Sequence, residues 1–523
     1  MVKAHNHYGD FGGASNPFRA EAEIEDMEIE GTIPKELDGT YYRVMLDPYY
    51  DRDFYLGGTK SIPFDGDGSV SAFRIRNGKV SYKQRYVLTE RLVAERKAGK
   101  ALFGMLRSPF SHHPCVRSVI DNVANTNVVV HAGKLLALAE QGPPYELEPS
   151  SLRTVGHEPF PGEISPNFPF TAHPHVDPVS GELLAFGYAL HGLLSPDVSV
   201  YSIDKNGKKT LQRDFKFTGT LGIMHDCAIT KHYVVIMMMP FRVDFTDIEK
   251  EGNHQWYYDE KMPTWFAVVP RDEENSIRWF KYKNCMPIHS GASWEEGGKI
   301  YFDASVASHN AFSFLPCKSG DKRIPNPDPA DITVNYVKFC IDPYADSNEM
   351  PPAEVLLKVP AEFPRIDERF LTQKTRYTFL DCLKPDSAAG EILYHGLNAI
   401  ARHDYATGDT DFCIPGEHCL VQEPAFSPRT PDAPEGDGFV ITMIDNIKAG
   451  RNELIIQDTR NFEEIVARII LPFRLRSAVH GNWVDAERLE ANENFLEPMP
   501  SIYAFPPPER FTASAFRPHS NDA

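Results

Sequence analysis

Cysteine is scarce in this chain: eight among 523 residues, with no Cys-x-x-Cys pair and only Cys413 and Cys419 close together. Such usage argues against a disulfide-stapled scaffold and fits free, mostly buried thiols in a reducing compartment, so a cytoplasmic protein is expected. Positive charge is also short. Lys and Arg number 54 against 73 Asp and Glu, a formal net charge of −19, and no basic run is clustered. An acidic surface disfavours phosphate backbones and anionic membranes, so no nucleic-acid partner is expected. Long apolar runs are missing. The longest, such as Tyr233 to Phe241, are strand-sized, far below the ~20 residues needed to span a bilayer, and no transmembrane segment is expected. The N-terminal MVKAHNHYGDFGG has no apolar core, so no signal peptide is expected. Helical patterns are few, and no Gly-His…Trp-Asp repeat occurs, which argues against a WD-type array.

What the chain does have is turn residues, 42 Pro and 35 Gly, spread along its length. Between them lie short β-patterned segments: Val80–Val87, Asn127–Ala139, Leu183–Tyr188, Tyr233–Met239, Trp265–Val269, Lys299–Phe302, Gly438–Ile444 and Glu453–Gln457. Asn77-Gly78, Ser180-Gly181, Asn206-Gly207 and Ala449-Gly450 supply turns. The best helix spans Thr89–Leu106, with Leu92, Ala94, Ala98 and Leu102 on its apolar side. Strands in regular succession over this length predict an all-β sandwich, barrel or propeller. No linker divides the chain, so residues 1–523 are read as one domain. Ser427–Gly436 reads as a loop, and the Pro-rich tail after Tyr503 as irregular.

Four of the 19 histidines stand out by context. His173 lies in Phe170-Thr-Ala-His-Pro-His175, His225 in Gly222-Ile-Met-His-Asp226, His289 in Pro287-Ile-His-Ser-Gly291 and His480 in Ser477-Ala-Val-His-Gly-Asn-Trp483. Each abuts a strand end, and all are far apart in sequence. A zinc finger draws its ligands from one short segment, so this spread fits a metal on the axis of a closed β architecture better. Neutral imidazole suits iron, copper and zinc alike, and spacing does not choose among them. Two other motifs are discounted. Asp65-Gly-Asp-Gly68 lacks the remaining calcium-loop ligands and reads as a hairpin turn. Cys413, His418 and Cys419 lack a second pair and read as a loop.

The chain resembles the carotenoid cleavage oxygenase family, and within it the lignostilbene and stilbene dioxygenases, from about residue 23 to 503. The stretches that carry the resemblance are Phe64-Asp-Gly-Asp-Gly-Ser69, Gln84-Arg-Tyr-Val87 through Lys100-Ala-Leu-Phe-Gly104, Asn122-Val-Ala-Asn-Thr-Asn127, Glu362-Phe-Pro-Arg-Ile-Asp367, Glu423-Pro-Ala-Phe426 and Leu471-Pro-Phe-Arg-Leu-Arg-Ser-Ala-Val-His-Gly-Asn-Trp483. The resemblance implies a seven-bladed β-propeller, a few helices capping one face, with Fe2+ on its axis held by His173, His225, His289 and His480. His175 is the rival of His173, which is preferred because it precedes Pro174; His175 itself reads as a loop residue capping a turn. Glu140, Glu362 and Glu423 are expected to accept the other ring N–H of liganding imidazoles, fixing tautomer and orientation. Thr126 matches the residue that crowds an open iron position in stilbene-cleaving relatives.

At two places the chain departs from that pattern. Stilbene-cleaving members hold the substrate's 4-hydroxyl with a Lys just before the first of these Glu and a Tyr in a Phe-Gly-x-Tyr stretch. Ala139 and Leu106 stand there, making a more apolar pocket end, to which Phe312 is added. The resemblance therefore implies an iron(II) dioxygenase whose partners are O2 and a small aromatic alkene. The substrate class is phenylpropenoid or stilbenoid, as in isoeugenol-like alkenes giving a benzaldehyde such as vanillin. The alternatives are an apocarotenoid cleaver, a non-oxidative isomerase acting on membrane-bound esters, and an inactive propeller serving as a binding scaffold. Keeping all four His and three Glu speaks against the last.

Overall fold

Alternation of apolar residues and turns produces the expected result, a chain of antiparallel strands. In the computed structural model, residues 17–489 are described except 51–62, 107, 109–110, 141, 166–167, 193–194, 245, 247–255, 313, 329–330, 386–396 and 477. The Pro-rich tail lies outside the described residues. Eight sheets of four or five strands form among the described residues, and nearly every pairing is antiparallel. Strands such as Leu183–Tyr188 and Tyr233–Met239 are apolar almost throughout and buried on both faces, because each sheet packs between neighbours. A fully buried Val, Leu or Phe on such a strand contributes roughly 1.5–3 kcal/mol.

In several sheets the strands follow one another in chain order. One runs Asn127–His131, Lys134–Leu138, Tyr145–Leu147, Thr154–Gly156. Another starts at Ile223–Ile229, a third at Met286–Glu296 and a fourth at Ala361–Arg365. These leading strands lie side by side, and the series continues through Cys419–Pro428 and Ala478–Asp485 to Asn127–His131. The two ends of the described chain share sheets. Glu28–Gly31 pairs with Ile465–Ile470, and Gly39–Leu46 pairs with Ala478–Asp485. One further sheet is built from excursions: Phe241–Val243 and Trp256–Asp259 join Cys317–Ser319 and Lys322–Ile324.

Several readings need correction. Asn127–Ala139 is a hairpin rather than one strand, because Ala132 and Gly133 take positive φ (51° and 72°) and turn the chain. The helix is shorter than Thr89–Leu106. It runs Glu90–Ala98, capped by the Thr89 side chain, and stops at Gly99 in the left-handed region (φ 66°). Its buried face carries Arg91 and Glu95 beside Leu92, while Ala98 is exposed. Glu95 accepts from the Leu102 and Phe103 N–H groups, each at 2.9 Å, and Arg91 pairs with Asp121 at 2.7 Å. Apolar periodicity misreads such a face because partnered charges occupy it. Asp65-Gly-Asp-Gly68 is not a hairpin turn either. Pro63–Asp65 is a 3-10 turn, both aspartates are buried, and Gly68 opens the strand Gly68–Arg76. Cys413 and Cys419 do flank a loop, and the cysteines are free, six of the eight buried. No helix among the described residues is long and apolar enough to cross a membrane.

Candidate metal centre

Three of the four histidines lie inside strands of three different sheets, rather than at strand ends. His225 sits in Ile223–Ile229, His289 in Met286–Glu296 and His480 in Ala478–Asp485, while His173 lies two residues before the short strand His175–Val176. The ladder slips at the three strands that carry His225, His289 and His480. Register shifts fall between Met224 and Cys227, between Pro287 and Ser290, and opposite the Ala478–Gly481 stretch between Arg43 and Met45. Further shifts lie between Glu362 and Arg365 and between Val421 and Pro424. A bulge re-aims a side chain, and here the bulges fall at His225, His289 and His480 and at Glu362 and Glu423. Sequence patterning does not display them, because a bulge leaves the local residue types unchanged.

One ring nitrogen from each of His173, His225, His289 and His480 lies within 4.8 Å of the others, close enough for one ion to touch all four. His225 Nε2 is 3.1 Å from both His173 Nε2 and His289 Nε2. The outer nitrogens meet carboxylates as expected. His225 Nδ1 lies 2.7 Å from Glu140, His289 Nδ1 2.6 Å from Glu362, and His480 Nδ1 3.1 Å from Glu423. A carboxylate only accepts, so each Nδ1 carries the hydrogen and each Nε2 presents a lone pair. Facing lone pairs at 3.1 Å repel unless a cation lies between them. His480 Nε2 is in addition buried without a hydrogen-bond partner. The donor set therefore fits a metal ion, and its all-imidazole character suits iron, copper or zinc.

Burial, with the neighbouring imidazoles, holds His173 and His480 well below the ordinary histidine range. Burial opposes protonation of His289 too, but the Glu362 carboxylate outweighs it and raises the pKa. Neutral imidazole is the form that binds metal.

Some partners escape sequence reasoning. The Tyr188 hydroxyl donates to Glu140 on the oxygen that His225 leaves. Arg365 donates to Glu423 at 3.3 Å, to Glu368 at 2.6 Å and to Asn482 at 2.5 Å. Phe363, a non-glycine residue at φ 49°, stacks on His289 with ring centroids 4.8 Å apart and meets His480 edge-on at 5.3 Å. A phenylalanine in the left-handed region is a true outlier, and such strain clusters at functional sites. No local signal marks these residues except that Phe363 and Arg365 share a motif with Glu362.

A cavity of about 310 Å³ reaches His173, His289 and His480 and is lined also by Asp226, Arg365 and Asn482. Thr126, Leu106, Ala139 and Phe312 do not line it. The Thr126 hydroxyl donates to Asn125, and its N–H to the Leu138 carbonyl, which places it beside Ala139. Ala139 is buried and adjoins Glu140. Leu106 and Phe312 meet a common turn: the Leu106 N–H donates to Asp65 at 2.6 Å, and the Phe312 ring packs edge-on against Phe64 at 5.4 Å. His175 is not a loop residue. It opens a short strand, pairs with Leu184, and its Nε2 lies 3.3 Å from the Asp226 carboxylate, outside the four-histidine group.

The model of the retinal pigment epithelial membrane protein family matches residues 15–485. The chain is 41% identical over 504 residues to resveratrol cleavage oxygenase 1 of Botryotinia fuckeliana, covering 94% of this chain and 88% of that protein. It is 36% identical to isoeugenol monooxygenase of Pseudomonas nitroreducens, over 90% of this chain and 97% of that one. Among solved structures, the lignostilbene dioxygenase of Pseudomonas brassicacearum superposes with a TM-score of 0.84 at 34% identity, covering 91% of this chain and 98% of that one. With the four-histidine cluster and its three carboxylates on a nearly all-β frame, these matches place the chain in the retinal pigment epithelial membrane protein family, that of the carotenoid cleavage oxygenases.

Proposed function

We propose that the chain is an iron(II) dioxygenase that splits the C=C bond of a phenylpropenoid or stilbenoid, adding both atoms of O2 to give two carbonyl products. The observation that carries this reading is the convergence of four imidazoles, three of them held by Nδ1–carboxylate pairs. His173, His225, His289 and His480 hold the ion, and Glu140, Glu362 and Glu423 fix the tautomer of three of them. The chemistry that Fe2+ brings to such a site is redox activation of dioxygen. The protein's part is to position the alkene and keep the site dry. Thr126 is assigned to crowding one side of the centre, and Leu106, Ala139 and Phe312 to an apolar pocket end that makes no hydrogen bond to a ring hydroxyl. Resveratrol, isoeugenol and lignostilbene compounds are named for relatives of this chain, and an aromatic alkene is the chemistry they share. Seven of the eight sheets are read as blades of one propeller domain, with the sheet of excursions as an insertion beside Phe312.

The test is product analysis. Iron-loaded protein is incubated with isoeugenol, 4-vinylguaiacol, resveratrol and an apocarotenal while O2 uptake is followed. Aldehydes from the aromatic alkenes with matched O2 consumption are expected. Turnover of the apocarotenal alone would move the protein to the carotenoid branch, and no turnover of any would favour a binding scaffold.

A further inference from the structure

Among the described residues three of the four histidines meet a carboxylate at Nδ1, and His173 does not. What holds its segment is found on the strand of His225. Asp226, only 2% exposed, follows His225 within the stretch where that strand's ladder slips. One carboxylate oxygen lies 3.3 Å from His175 Nε2 and accepts the Cys227 N–H at 2.6 Å. The other accepts the Ser290 N–H at 2.6 Å and lies 2.9 Å from the Ser290 hydroxyl. The Cys227 thiol in turn reaches the His173 carbonyl at 3.8 Å.

Every one of these partners neighbours a histidine of the cluster. Asp226 and Cys227 follow His225, Ser290 follows His289, and His175 is joined to His173 through Pro174. The partners also lie on three different sheets. Two of the donors, the Cys227 and Ser290 N–H groups, stand where the ladders slip, so the carboxylate satisfies groups at the very bulges that aim His225 and His289. A carboxylate suits this task because both its oxygens accept and none of its atoms donates, and hydrogen bonds to a charged acceptor are short and about twice as strong as neutral ones. His175, Asp226 and Cys227 also form a compact group with metal-binding atoms. Both Asp226 oxygens are taken up by N–H donors, however, so that group serves as a clasp and not as a second ion site.

We infer that Asp226 is a positioning residue for the metal centre, one carboxylate that sets the His173, His225 and His289 segments at the spacing from which their Nε2 atoms converge. It takes the place, for His173, of the missing Nδ1 carboxylate, acting through His175. The inference rests on the reading that the four histidines hold a metal ion.

The experiment loads the full chain with Co2+ as a visible probe, then follows both its absorption bands and its release to excess chelator. Asp226→Asn puts an amide N–H2 against one of the N–H donors. It is expected to release Co2+ about 10-fold faster or more, with shifted ligand-field bands. His175→Leu removes one donor at a partly exposed position and is expected to behave alike, while His175→Gln, which keeps a donor, restores most of the wild-type retention. If Asp226→Asn fails to fold, the His175 pair decides. Wild-type protein that takes up no Co2+ overturns the metal reading and this inference with it. Wild-type protein that takes up Co2+, with folded variants matching its bands and release rate, leaves the metal reading standing and overturns the role of Asp226.

Discussion

Glu423 takes three donors: the His480 imidazole at 3.1 Å, the Arg365 guanidinium at 3.3 Å and the Gly481 N–H at 2.8 Å. Burial pushes its carboxyl up, and Arg365 and the Gly481 N–H only partly restrain it. In Glu423→Gln one acceptor becomes a donor facing another N–H. Metal affinity or kcat should fall about 10–100-fold while the fold survives, as read by iron content and product rate. At the proposed substrate end the residues predict a preference. Leu106 and Ala139 offer no hydrogen bond from their side chains, and a hydroxyl buried without one costs about 1–3 kcal/mol. The 4-O-methyl ethers of isoeugenol and resveratrol should therefore keep most of the kcat/KM of the parent phenols, and Leu106→Tyr with Ala139→Lys should move the preference toward the free phenols. Strong resveratrol cleavage that is lost on 4-O-methylation would show that another residue holds the phenol. At this scale the four histidines stood out by their local context, whereas the three glutamates came only through the resemblance that their motifs carry. Asp226, Tyr188 and the wider role of Arg365 were not legible. Their partners lie across the fold, as Asn482 does, 117 residues from Arg365, and nothing in a local window marks such a pair.

Strands carry two kinds of information, and only one of them shows in sequence. Leu183–Tyr188 and Tyr233–Met239 have the bounds that their apolar runs predict, because burial on both faces leaves an uninterrupted hydrophobic segment. The bulges at the centre left no such trace, and the helix ended early because one glycine adopts a conformation closed to most residues. Between elements, the strand Lys299–Ala307 carries a buried carboxyl, Asp303, that accepts from Tyr405 at 2.6 Å, and Tyr405 in turn meets Tyr336 at 3.0 Å. Burial raises the Asp303 pKa to about 7, against the Tyr405 hydrogen bond and Lys338, which lower it. Such an acid prefers its neutral form in the fold. Its stabilising contribution is full below the unfolded value of about 3.9 and is lost as pH rises through about 7. Asp303→Asn should accordingly flatten the fall in stability between about pH 4 and 7. At pH 8 it should stabilise the protein by up to a few kcal/mol. Urea melts of both proteins at pH 5 and 8 check this, and an unchanged pH dependence would contradict it.

For the whole molecule, a nearly all-β architecture was legible from turn spacing alone, whereas the propeller and its iron came from resemblance, since sandwich, barrel and propeller share the same strand statistics. The pairing of Gly39–Leu46 with Ala478–Asp485 shows why local reading stops there. The strand that carries His480 belongs to the sheet that opens the chain, and only the folded chain brings His480 beside the other three histidines. The central claim is that those four side chains share one iron. X-ray absorption at the iron edge, measured on anaerobically Fe2+-loaded protein and on His480→Ala, tests it most directly. The account predicts a nitrogen shell with the multiple-scattering pattern of four imidazoles in the parent protein, and loss of most of the iron in the variant. Protein that retains no iron, or iron held mainly by carboxylate or thiolate, would contradict it.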